Sequence, residues 1–245
     1  MADYKGYLNN LSIQMSDLQD HHIQILSNFI FKTEAERHEI DFKDFPTHEL
    51  DDHINHLVLN GYLLTDDTNK IFVTSKGKDI AGRLDFMTAK IEKQPKTVMA
   101  AMCRKIENGE EKTLMHLRLE NPYYGFLGFP TGTSKFGNIM SEDVVRELEE
   151  ETGLTGTPIL KEIKHMLVRT RDTGEFMDDV VMYAFEIINP TGTLIEKNIE
   201  GENYWMTLDE IKNYPKVSLN TLDTMKSLNS HGVVFIEEIQ EYDTL

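Results

Sequence analysis

Three glutamates in the middle of the sequence have the spacing that best suits chemistry. Glu147, Glu150 and Glu151 stand at positions i, i+3 and i+4 of a predicted helix, so their carboxylates share one face. Carboxylates this close repel one another unless a cation lies between them, and hard divalent cations such as Mg²⁺ or Mn²⁺ prefer oxygen ligands. The same spacing also occurs on acidic helices that are merely solvated, so the three glutamates alone leave both interpretations open.

The helix that carries these glutamates is predicted from its ends and from its apolar side. Ser141 is suited to cap the first turn, and Gly153 is suited to a left-handed conformation directly after Thr152. The apolar side is formed by Val144, Val145 and Leu148. We therefore expect the helix to pack on a core and to hold the glutamates at its surface.

Alternating apolar patterns on both sides of this helix predict strands. The predicted strands cover residues 97–106, 112–119 and 179–188. Asn108-Gly109 is suited to the hairpin turn between the first two strands. Further helices are predicted from Thr207 and over residues 218–227. Strands mixed with a few helices indicate a layered α/β domain.

Residues 132–154 read GTSKFGNIMSEDVVRELEEETGL and resemble the Nudix box, the family signature G-x5-E-x7-R-E-U-x-E-E-x-G-U in which U is a bulky apolar residue. The residues that match at the family spacing are Gly132, Arg146, Glu147, Leu148, Glu150, Glu151, Gly153 and Leu154. Phe129-Pro130 before the box and the segment around Trp205 after it are also similar to the family. The resemblance covers roughly residues 97–230 and implies a Nudix α/β/α sandwich with a mixed sheet over residues 95–245.

This resemblance implies a metal-dependent pyrophosphohydrolase that cleaves a nucleoside diphosphate linked to another moiety. It assigns Glu147, Glu150 and Glu151 as ligands of Mg²⁺ or Mn²⁺ and places them with Arg146 in the catalytic set. Asn138 departs from the family pattern, because it stands where the first glutamate of the box is usual. Asparagine keeps a hydrogen-bond acceptor but lacks the charge, so we expect Arg146 to be held more weakly and metal binding to be reduced or retuned.

Three further residues are assigned to substrate binding. Arg118 precedes the aromatic segment Tyr123-Tyr124-Gly125-Phe126, where a cation would contact phosphate and a ring would stack on a base. Gly132 opens the box. Glu200 lies in a later loop and is also, with Glu202, a candidate to accept the proton of an attacking water. The alternative interpretation is that Arg118 is a solvated surface residue and that the aromatic rings pack in the core. Glu200 and Glu202 would then be exposed loop acids.

The first 94 residues carry helical patterns around one predicted hairpin. Ser16 and Thr47 are suited to cap two helices, and a third helix is predicted from Lys76 to Ile91. The hairpin strands are residues 63–65 and 71–74. This order, with the phrase Val73-Thr74-Ser75-Lys76-Gly77, resembles a winged helix-turn-helix domain over about 80 residues. Pro95 marks the junction with the second domain.

The helix that follows Thr47 carries polar groups with two competing interpretations. Four side chains have a helical spacing that would suit a zinc site: His48, Asp52, His53 and His56. The apolar residues of the same helix, Leu50, Ile54 and Leu57, already define its buried face. We therefore expect the four polar side chains to point outward into solvent.

The charge balance disfavours nucleic acid as a partner. The chain has 25 Lys and Arg against 42 Asp and Glu, a net charge of −17, and residues 1–95 alone hold 10 basic and 16 acidic side chains. The predicted recognition helix has no Lys or Arg, which leaves Lys70, Lys76 and Lys78 around the wing for phosphate contacts. DNA binding is therefore not favoured, and homodimerisation or protein docking is the preferred role of this domain.

Two functions from different classes follow. The preferred one is a cytoplasmic Nudix hydrolase, and the alternative is a winged-helix transcriptional regulator whose Nudix domain senses a nucleotide without cleaving it. The intact glutamates favour the enzyme, whereas Asn138 and the additional domain favour the regulator. The N-terminus shows no signal-peptide pattern and the apolar runs are too short to span a bilayer. A single cysteine, Cys103, fits a reducing compartment.

Overall fold

The computed structural model describes residues 18–42, 46–91, 93–121 and 123–243. The described residues form two compact units whose boundary lies between Lys93 and Gln94. Within these ranges no helix combines the length and the apolar character needed to cross a membrane. Ser16, the predicted cap of the first helix, lies outside the described residues, and the first described helix begins after Gln19.

The N-terminal unit combines three short helices with a small antiparallel sheet. Its elements are α1 (Asp20–Ser27), β1 (Glu34–Ala35), α2 (Leu50–Leu59), β2 (Leu63–Thr65), β3 (Ile71–Val73) and α3 (Ser75–Ala81). In the sheet β3 lies between β1 and β2, and β2 and β3 form the predicted hairpin. Leu26, Leu57 and Ile71 are buried in one apolar cluster, so helices and sheet share a core.

The start of α2 differs from the prediction. A 3₁₀ turn, Thr47–Glu49, precedes the α-helix, and the N-cap residue is Glu49 instead of Thr47. The turn forms because the Glu49 N–H donates to the Pro46 carbonyl, three residues earlier, at 3.0 Å. The predicted apolar face is confirmed, since the buried residues of α2 are Leu50, Ile54 and Leu57.

The end of α3 also differs from the prediction. The helix ends at Ala81, whereas the apolar spacing predicts that it continues to Ile91. The Asp85 carboxylate accepts hydrogen bonds from the backbone N–H and the hydroxyl of Thr88 at 2.7 and 2.8 Å, and this local turn competes with a helix. Leu84 and Ile91, expected on one helical face, instead pair in an isolated antiparallel bridge.

Histidines of α1 and α2 meet inside the N-terminal unit, so the expectation that His48, Asp52, His53 and His56 all point into solvent is wrong for His53 and His56. The rings of His21 and His53 have centroids 3.7 Å apart, and those of His22 and His56 are stacked at 4.3 Å. Burial and the neighbouring imidazoles lower the pKa of His22 to about 4, so its ring is neutral at physiological pH. The expectation of exposure holds for the other two residues, His48 and Asp52.

The C-terminal unit is built on one mixed sheet. Its strands are β4 (Lys96–Glu107), β5 (Glu110–Arg118), β6 (Leu127–Gly128), β7 (Thr131–Thr133), β8 (Leu154–Thr170), β9 (Phe176–Gly192), β10 (Gly201–Met206) and β11 (Val234–Tyr242). The main order is β10-β5-β4-β9-β8-β11, with β6 beside β5 and β7 beside β4. β4 runs parallel to β9 and β11 runs parallel to β8, whereas the other pairs are antiparallel. The three predicted strands are confirmed with shifted ends.

Helices cover both faces of this sheet and complete the predicted α/β/α sandwich. They are α4 (Met140–Thr152), α5 (Leu208–Lys212) and α6 (Thr221–Ser227). Consecutive residues of β4 face opposite layers: Ala101 packs in the apolar cluster of Leu148 from α4, and Ala100 packs in that of Ile211 from α5. The N-cap residue of α4 is Ile139, so the predicted cap Ser141 lies inside the first turn.

Candidate active site

A cavity of about 560 Å³ in the C-terminal unit brings together most of the residues singled out in the sequence. Five predicted site residues line it: Arg118, Gly132, Glu147, Glu151 and Glu200. Arg146 and Glu150 of α4 are not among the lining residues. These five residues come from β5, β7, α4 and the loop before β10, which are distant in sequence and adjacent in the fold.

Glu151 is the buried carboxylate of this cavity. The residue is 7% exposed, and its Oε2 atom has no hydrogen-bond partner among the described residues. Burial, followed by the charges of Glu200 and Glu147, raises the pKa of Glu151 to about 8. A buried carboxylate beside two others favours a cation as its partner, and a donor set made only of oxygen suits Mg²⁺ or Mn²⁺. The residues therefore fit a divalent cation.

The backbone of Glu151 is anchored by two asparagines. Nδ2 of Asn198 and Nδ2 of Asn203 donate to the Glu151 carbonyl oxygen at 3.0 and 2.9 Å. Oδ1 of Asn203 is 2.8 Å from Nδ1 of His116, which itself lines the cavity. Sequence reasoning missed these residues, because the pattern around an isolated asparagine does not show which helix end it will reach. Gly153 ends α4 in the predicted left-handed conformation, with a φ of 72°.

Glu147 lies directly against Gly132, and this contact explains why the box opens with glycine. A Cβ atom at position 132 would lie 2.7 Å from Cδ and 2.8 Å from Cβ of Glu147. These distances are shorter than van der Waals contact, so any larger residue in β7 would displace the Glu147 side chain. Gly132 thus makes room for a carboxylate in addition to lining the cavity.

Asp143 is the carboxylate that holds Arg146, a role that the sequence motif assigns to position 138. The residue is 2% exposed, and its Oδ1 atom accepts hydrogen bonds from Nε and Nη2 of Arg146 at 3.0 and 2.7 Å. Nδ2 of Asn138 donates to the same Oδ1 at 2.9 Å, and the Lys135 N–H donates to Oδ2 at 2.9 Å. Burial alone would raise the pKa of Asp143, but its three donors bring it below the usual value.

The expectation that Arg146 is held weakly is therefore wrong. The missing charge of Asn138 is replaced by Asp143, which stands one helical turn before Arg146 at i, i+3. Asn138 orients that carboxylate instead of the guanidinium. The sequence contains this signal, because an aspartate in the first turn of an amphipathic helix is suited to pair with an arginine three residues later.

Arg146 also bridges two glutamates of its own helix. Nη2 donates to Oε1 of Glu147 at 2.6 Å, and Nη1 donates to Oε2 of Glu150 at 2.9 Å. The side chain of Glu150 is 59% exposed, whereas that of Glu147 is 19% exposed. Arg146 therefore joins Glu147 to Glu150, whereas the cavity brings Glu147 together with Glu151 and leaves Glu150 outside.

Basic side chains face the cavity from the sheet. Arg118 at the end of β5 pairs with Glu120 at 2.6 Å, and its charge partly offsets the upward shift of the Glu151 pKa. Lys96 at the start of β4 pairs with Asp178 at 2.9 Å, and both line the cavity. These cations give an otherwise acidic cavity the positive charge that an anionic ligand needs.

The structure separates the two loop acids considered as proton acceptors. Glu200 lines the cavity, and its charge contributes to the raised pKa of Glu151. Glu202 pairs with Lys197 at 2.6 Å and is not among the lining residues. Glu200 therefore remains a candidate, and Glu202 does not.

Another part of the lining is aromatic. Tyr123, Phe126 and Tyr242 contact one another edge to face, with ring centroids between 5.6 and 6.2 Å apart. The amide side chains of Asn220 and Gln240 line the same cavity. Rings together with amide donors and acceptors suit a flat ligand group that has hydrogen-bonding edges.

The C-terminal unit is an α/β fold with an acidic cavity beside its central sheet. Its defining features are the sheet order, the helix with its carboxylates and the glycine beside Glu147. The sequence profile of the NUDIX domain matches residues 96–225, which is more than half of the chain. The chain therefore belongs to the Nudix family, as the resemblance of residues 132–154 predicts.

The chain is also similar to individual proteins. The uncharacterized Nudix hydrolase YvcI of Bacillus subtilis (strain 168) is 28% identical over 100 residues, which cover 40% of this chain and 62% of YvcI. The crystal structure of the mutator MutT protein from Bacillus halodurans superposes with a TM-score of 0.50 at 22% identity, and the match covers 61% of this chain and 93% of that one. The Nudix domain of Shewanella oneidensis NrtR, solved with ADP-ribose, has a TM-score of 0.45 at 17% identity over 56% of this chain and 88% of that domain.

The matched region covers slightly less than two thirds of YvcI. The structural likeness at 22% identity establishes the fold. Substrate, metal and residue roles of this chain rest on its own geometry.

Proposed function

We propose that the C-terminal unit hydrolyses a nucleoside diphosphate linked to another moiety, with Mg²⁺ or Mn²⁺ bound by Glu147, Glu150 and Glu151. The observation that carries this proposal is the buried Glu151 carboxylate, whose Oε2 has no hydrogen-bond partner among the described residues. It lies in a cavity that also contains the Glu147 carboxylate and the Arg118 guanidinium. A pocket with both carboxylates and a basic side chain suits a diphosphate. A metal ion held by the carboxylates and the guanidinium of Arg118 would each neutralise part of its charge.

Each residue of the site has a proposed task. Arg118, and Lys135 near Glu147, bind phosphate oxygens, because both line the cavity with cationic side chains. The divalent cation, when bound, supplies charge neutralisation for an in-line attack by water at phosphorus. Glu151 or Glu200 accepts the proton of that water, since both carboxylates line the cavity.

Arg146 is a positioning residue in this proposal. It contacts Asp143, Glu147 and Glu150 and is not among the residues that line the cavity. Its guanidinium holds Glu147 in a fixed direction, and Glu150, which pairs with the same guanidinium, would be one of the carboxylates that hold the cation.

The aromatic part of the cavity is proposed to bind the base. Tyr123, Phe126 and Tyr242 offer ring faces and edges, and Asn220 and Gln240 offer amide groups. A nucleobase presents both a flat surface and hydrogen-bonding edges, so it suits this lining. The diphosphate would then extend from the base toward Arg118.

A screen of nucleoside diphosphate derivatives tests the proposal. The full chain is incubated with each compound and Mg²⁺ or Mn²⁺, and the phosphate-containing products are measured. We expect at least one compound to be cleaved at its diphosphate, with the rate lost in EDTA and lowered at least about 100-fold by Glu150→Gln. Cleavage that continues at full rate in EDTA, or in Glu150→Gln, would contradict the proposal.

We further propose that the N-terminal unit is a winged-helix domain that docks protein or a second copy of the chain. Its helices and hairpin follow the expected order, which supports the fold. α2 has Asp51 and Asp52 in its first turn, and Lys70 of the hairpin pairs with Glu34 at 2.6 Å. Few cations are thus left for phosphate, which argues against the alternative of a DNA-binding regulator.

An anisotropy titration on mixed genomic fragments separates these two roles. At near-physiological salt we expect no tight complex, with or without nucleotide ligands. Sequence-specific binding at nanomolar protein would favour the regulator, whose Nudix domain senses a nucleotide without cleaving it.

A further inference from the structure

Two helices of the N-terminal unit bring a group of imidazoles together. His21 and His22 lie on α1, and His53 lies on α2. One ring nitrogen from each of these three residues lies within 4.8 Å of the other two. Among the described residues no other three histidine, cysteine or carboxylate side chains bring their donor atoms this close.

His22 is the deepest member of the group and has an unsatisfied nitrogen. The residue is 3% exposed, and its Nε2 atom is buried without a hydrogen-bond partner among the described residues. Its Nδ1 atom accepts from the Gln19 N–H at 3.1 Å. A buried polar nitrogen without a partner is unfavourable, so the packing around His22 favours a ligand at Nε2.

A carboxylate lies beside the group. Oε2 of Glu49 lies 3.7 Å from Nε2 of His53. His56 stacks on His22 with an angle of 5° between the ring planes and holds that ring in place. Phe42 contributes an apolar side, with its ring 5.7 Å from that of His53. Apolar packing around nitrogen ligands is typical of metal sites in proteins.

We propose that His21, His22 and His53 form a site for a borderline transition-metal cation, with Zn²⁺ as the preferred ion and Glu49 as the fourth ligand. Three imidazoles and one carboxylate match the donors that Zn²⁺ takes in four-coordinate sites, and they are poor ligands for Mg²⁺. The ion joins α1 to α2 and therefore stabilises the N-terminal unit. This site is separate from the carboxylates of α4 in ligand type and in location on the chain.

Binding requires small movements of the side chains. Zn²⁺ holds tetrahedral nitrogen ligands about 3.4 Å apart, so rotation of the rings must close part of the 4.8 Å spread. Coordination through Nε2 of His22 moves its proton to Nδ1 and releases the Gln19 N–H, which is able to bond water because Gln19 is exposed. The metal bond replaces one hydrogen bond and satisfies the buried nitrogen.

A Co²⁺ titration of the full chain tests this site. The protein is prepared without a histidine tag, stripped with a chelator and titrated with Co²⁺ in excess Mg²⁺, which occupies oxygen ligands elsewhere. We expect one Co²⁺ per chain with the intense visible absorption of a four-coordinate site, displaced by equimolar Zn²⁺. His53→Ala, and His21→Ala on the other helix, should weaken binding at least about 100-fold. The exposed His38→Ala serves as the matched control and should bind like the wild type.

X-ray absorption on the Zn²⁺-loaded wild type tests the ligand set without relying on the folding of a variant. We expect imidazole nitrogens at about 2.0–2.1 Å. A metal shell that contains only oxygen, the failure of the wild type to bind one Co²⁺, or a His53→Ala variant with unchanged affinity would each overturn the proposal.

Discussion

The two groups of ligand-type side chains in this chain are assembled in opposite ways. The glutamates Glu147, Glu150 and Glu151 come from a single helix, whereas the histidines meet across two helices. Two of the glutamates, Glu147 and Glu150, form ion pairs with Arg146, which also pairs with Asp143. The histidines are packed together as nitrogen ligands with little charge to balance. The sequence motif around α4 therefore reveals the first group, while only the packing of α1 on α2 reveals the second.

The same difference predicts different ligands. Oxygen donors on α4 favour Mg²⁺ or Mn²⁺, and nitrogen donors between α1 and α2 favour Zn²⁺. One chain would then hold a hard cation for chemistry and a borderline cation for structure. Variants in one group should leave the other unaffected, because the two groups lie in separate compact units.

The largest effect is expected from the buried carboxylate. Glu151→Gln keeps the shape of the side chain but removes the carboxyl group that would hold the cation, so we expect turnover to fall at least about 100-fold, or about 3 kcal/mol of transition-state stabilisation. Glu149→Gln is the matched control, since Glu149 is exposed on the same helix. Co²⁺ binding at the histidines should stay unchanged in both variants. If the Glu149 and Glu151 variants have equal turnover, the buried carboxylate is no more important for catalysis than the exposed one, and the prediction fails.

The second effect concerns the support of Arg146. Asp143→Ala removes a buried carboxylate with four hydrogen bonds, so we expect the free energy of unfolding to fall by about 2 kcal/mol in urea titrations. The double variant Asn138→Glu with Asp143→Ala moves the charge to position 138 and should recover part of that loss. Asn138→Glu alone should destabilise, because it adds a second carboxylate beside Asp143.

Glu142→Ala is the control for this pair, since Glu142 is exposed in the same helical turn. If Asp143→Ala unfolds like Glu142→Ala, Asp143 does not hold the network. If the double variant is no more stable than Asp143→Ala, position 138 cannot replace it.

The sequence predicts a strand when apolar residues occupy the positions that become buried. β4, β5 and β9 have alternating or continuous apolar residues and are confirmed. β8 was missed because its inward positions carry Glu162 and Lys164, which are fully buried and form an ion pair at 3.3 Å. β11 was missed for the opposite reason, since Phe235 and Ile239 are exposed while Gln240 is buried.

The candidate site was predictable where its residues share one helix or one motif. The motif of residues 132–154 indicates Gly132, Glu147 and Glu151, which line the cavity, and also Glu150, which does not. Asn203 and Asp143 were not singled out, because their roles depend on partners that only the folded chain supplies. The histidines on α1 escaped notice for the same reason, since their partners lie about 30 residues away in sequence.

A smaller effect is expected from the glycine beside Glu147. Gly132→Ala adds a Cβ atom that would lie 2.7 Å from Cδ of Glu147, so the carboxylate must shift. We expect turnover to fall about 10-fold, or about 1.4 kcal/mol, with little change in the unfolding midpoint. Steady-state kinetics and thermal unfolding of the same preparation check this. Full activity in Gly132→Ala would mean that the position of Glu147 is not limiting.

An effect of a different kind is a pH dependence of stability. Glu151 has a pKa of about 8 in the fold against 4.5 in the unfolded chain, so between these values the native state holds the extra proton. Its contribution to stability is therefore present below pH 4.5 and is lost as the pH rises toward 8. In chelator we expect Glu151→Gln to gain about 3 kcal/mol relative to wild type as the pH rises from 5 to 8. Parallel curves for the two proteins would contradict the burial of this carboxylate.

The most direct test of the central claim is Mn²⁺ binding followed by electron paramagnetic resonance. The account predicts that wild type binds Mn²⁺ at the α4 carboxylates, that Glu151→Gln loses this binding, and that His53→Ala and Glu149→Gln retain it. If Glu151→Gln binds Mn²⁺ as tightly as the wild type, the buried carboxylate is not a metal ligand and the proposed hydrolytic site is wrong.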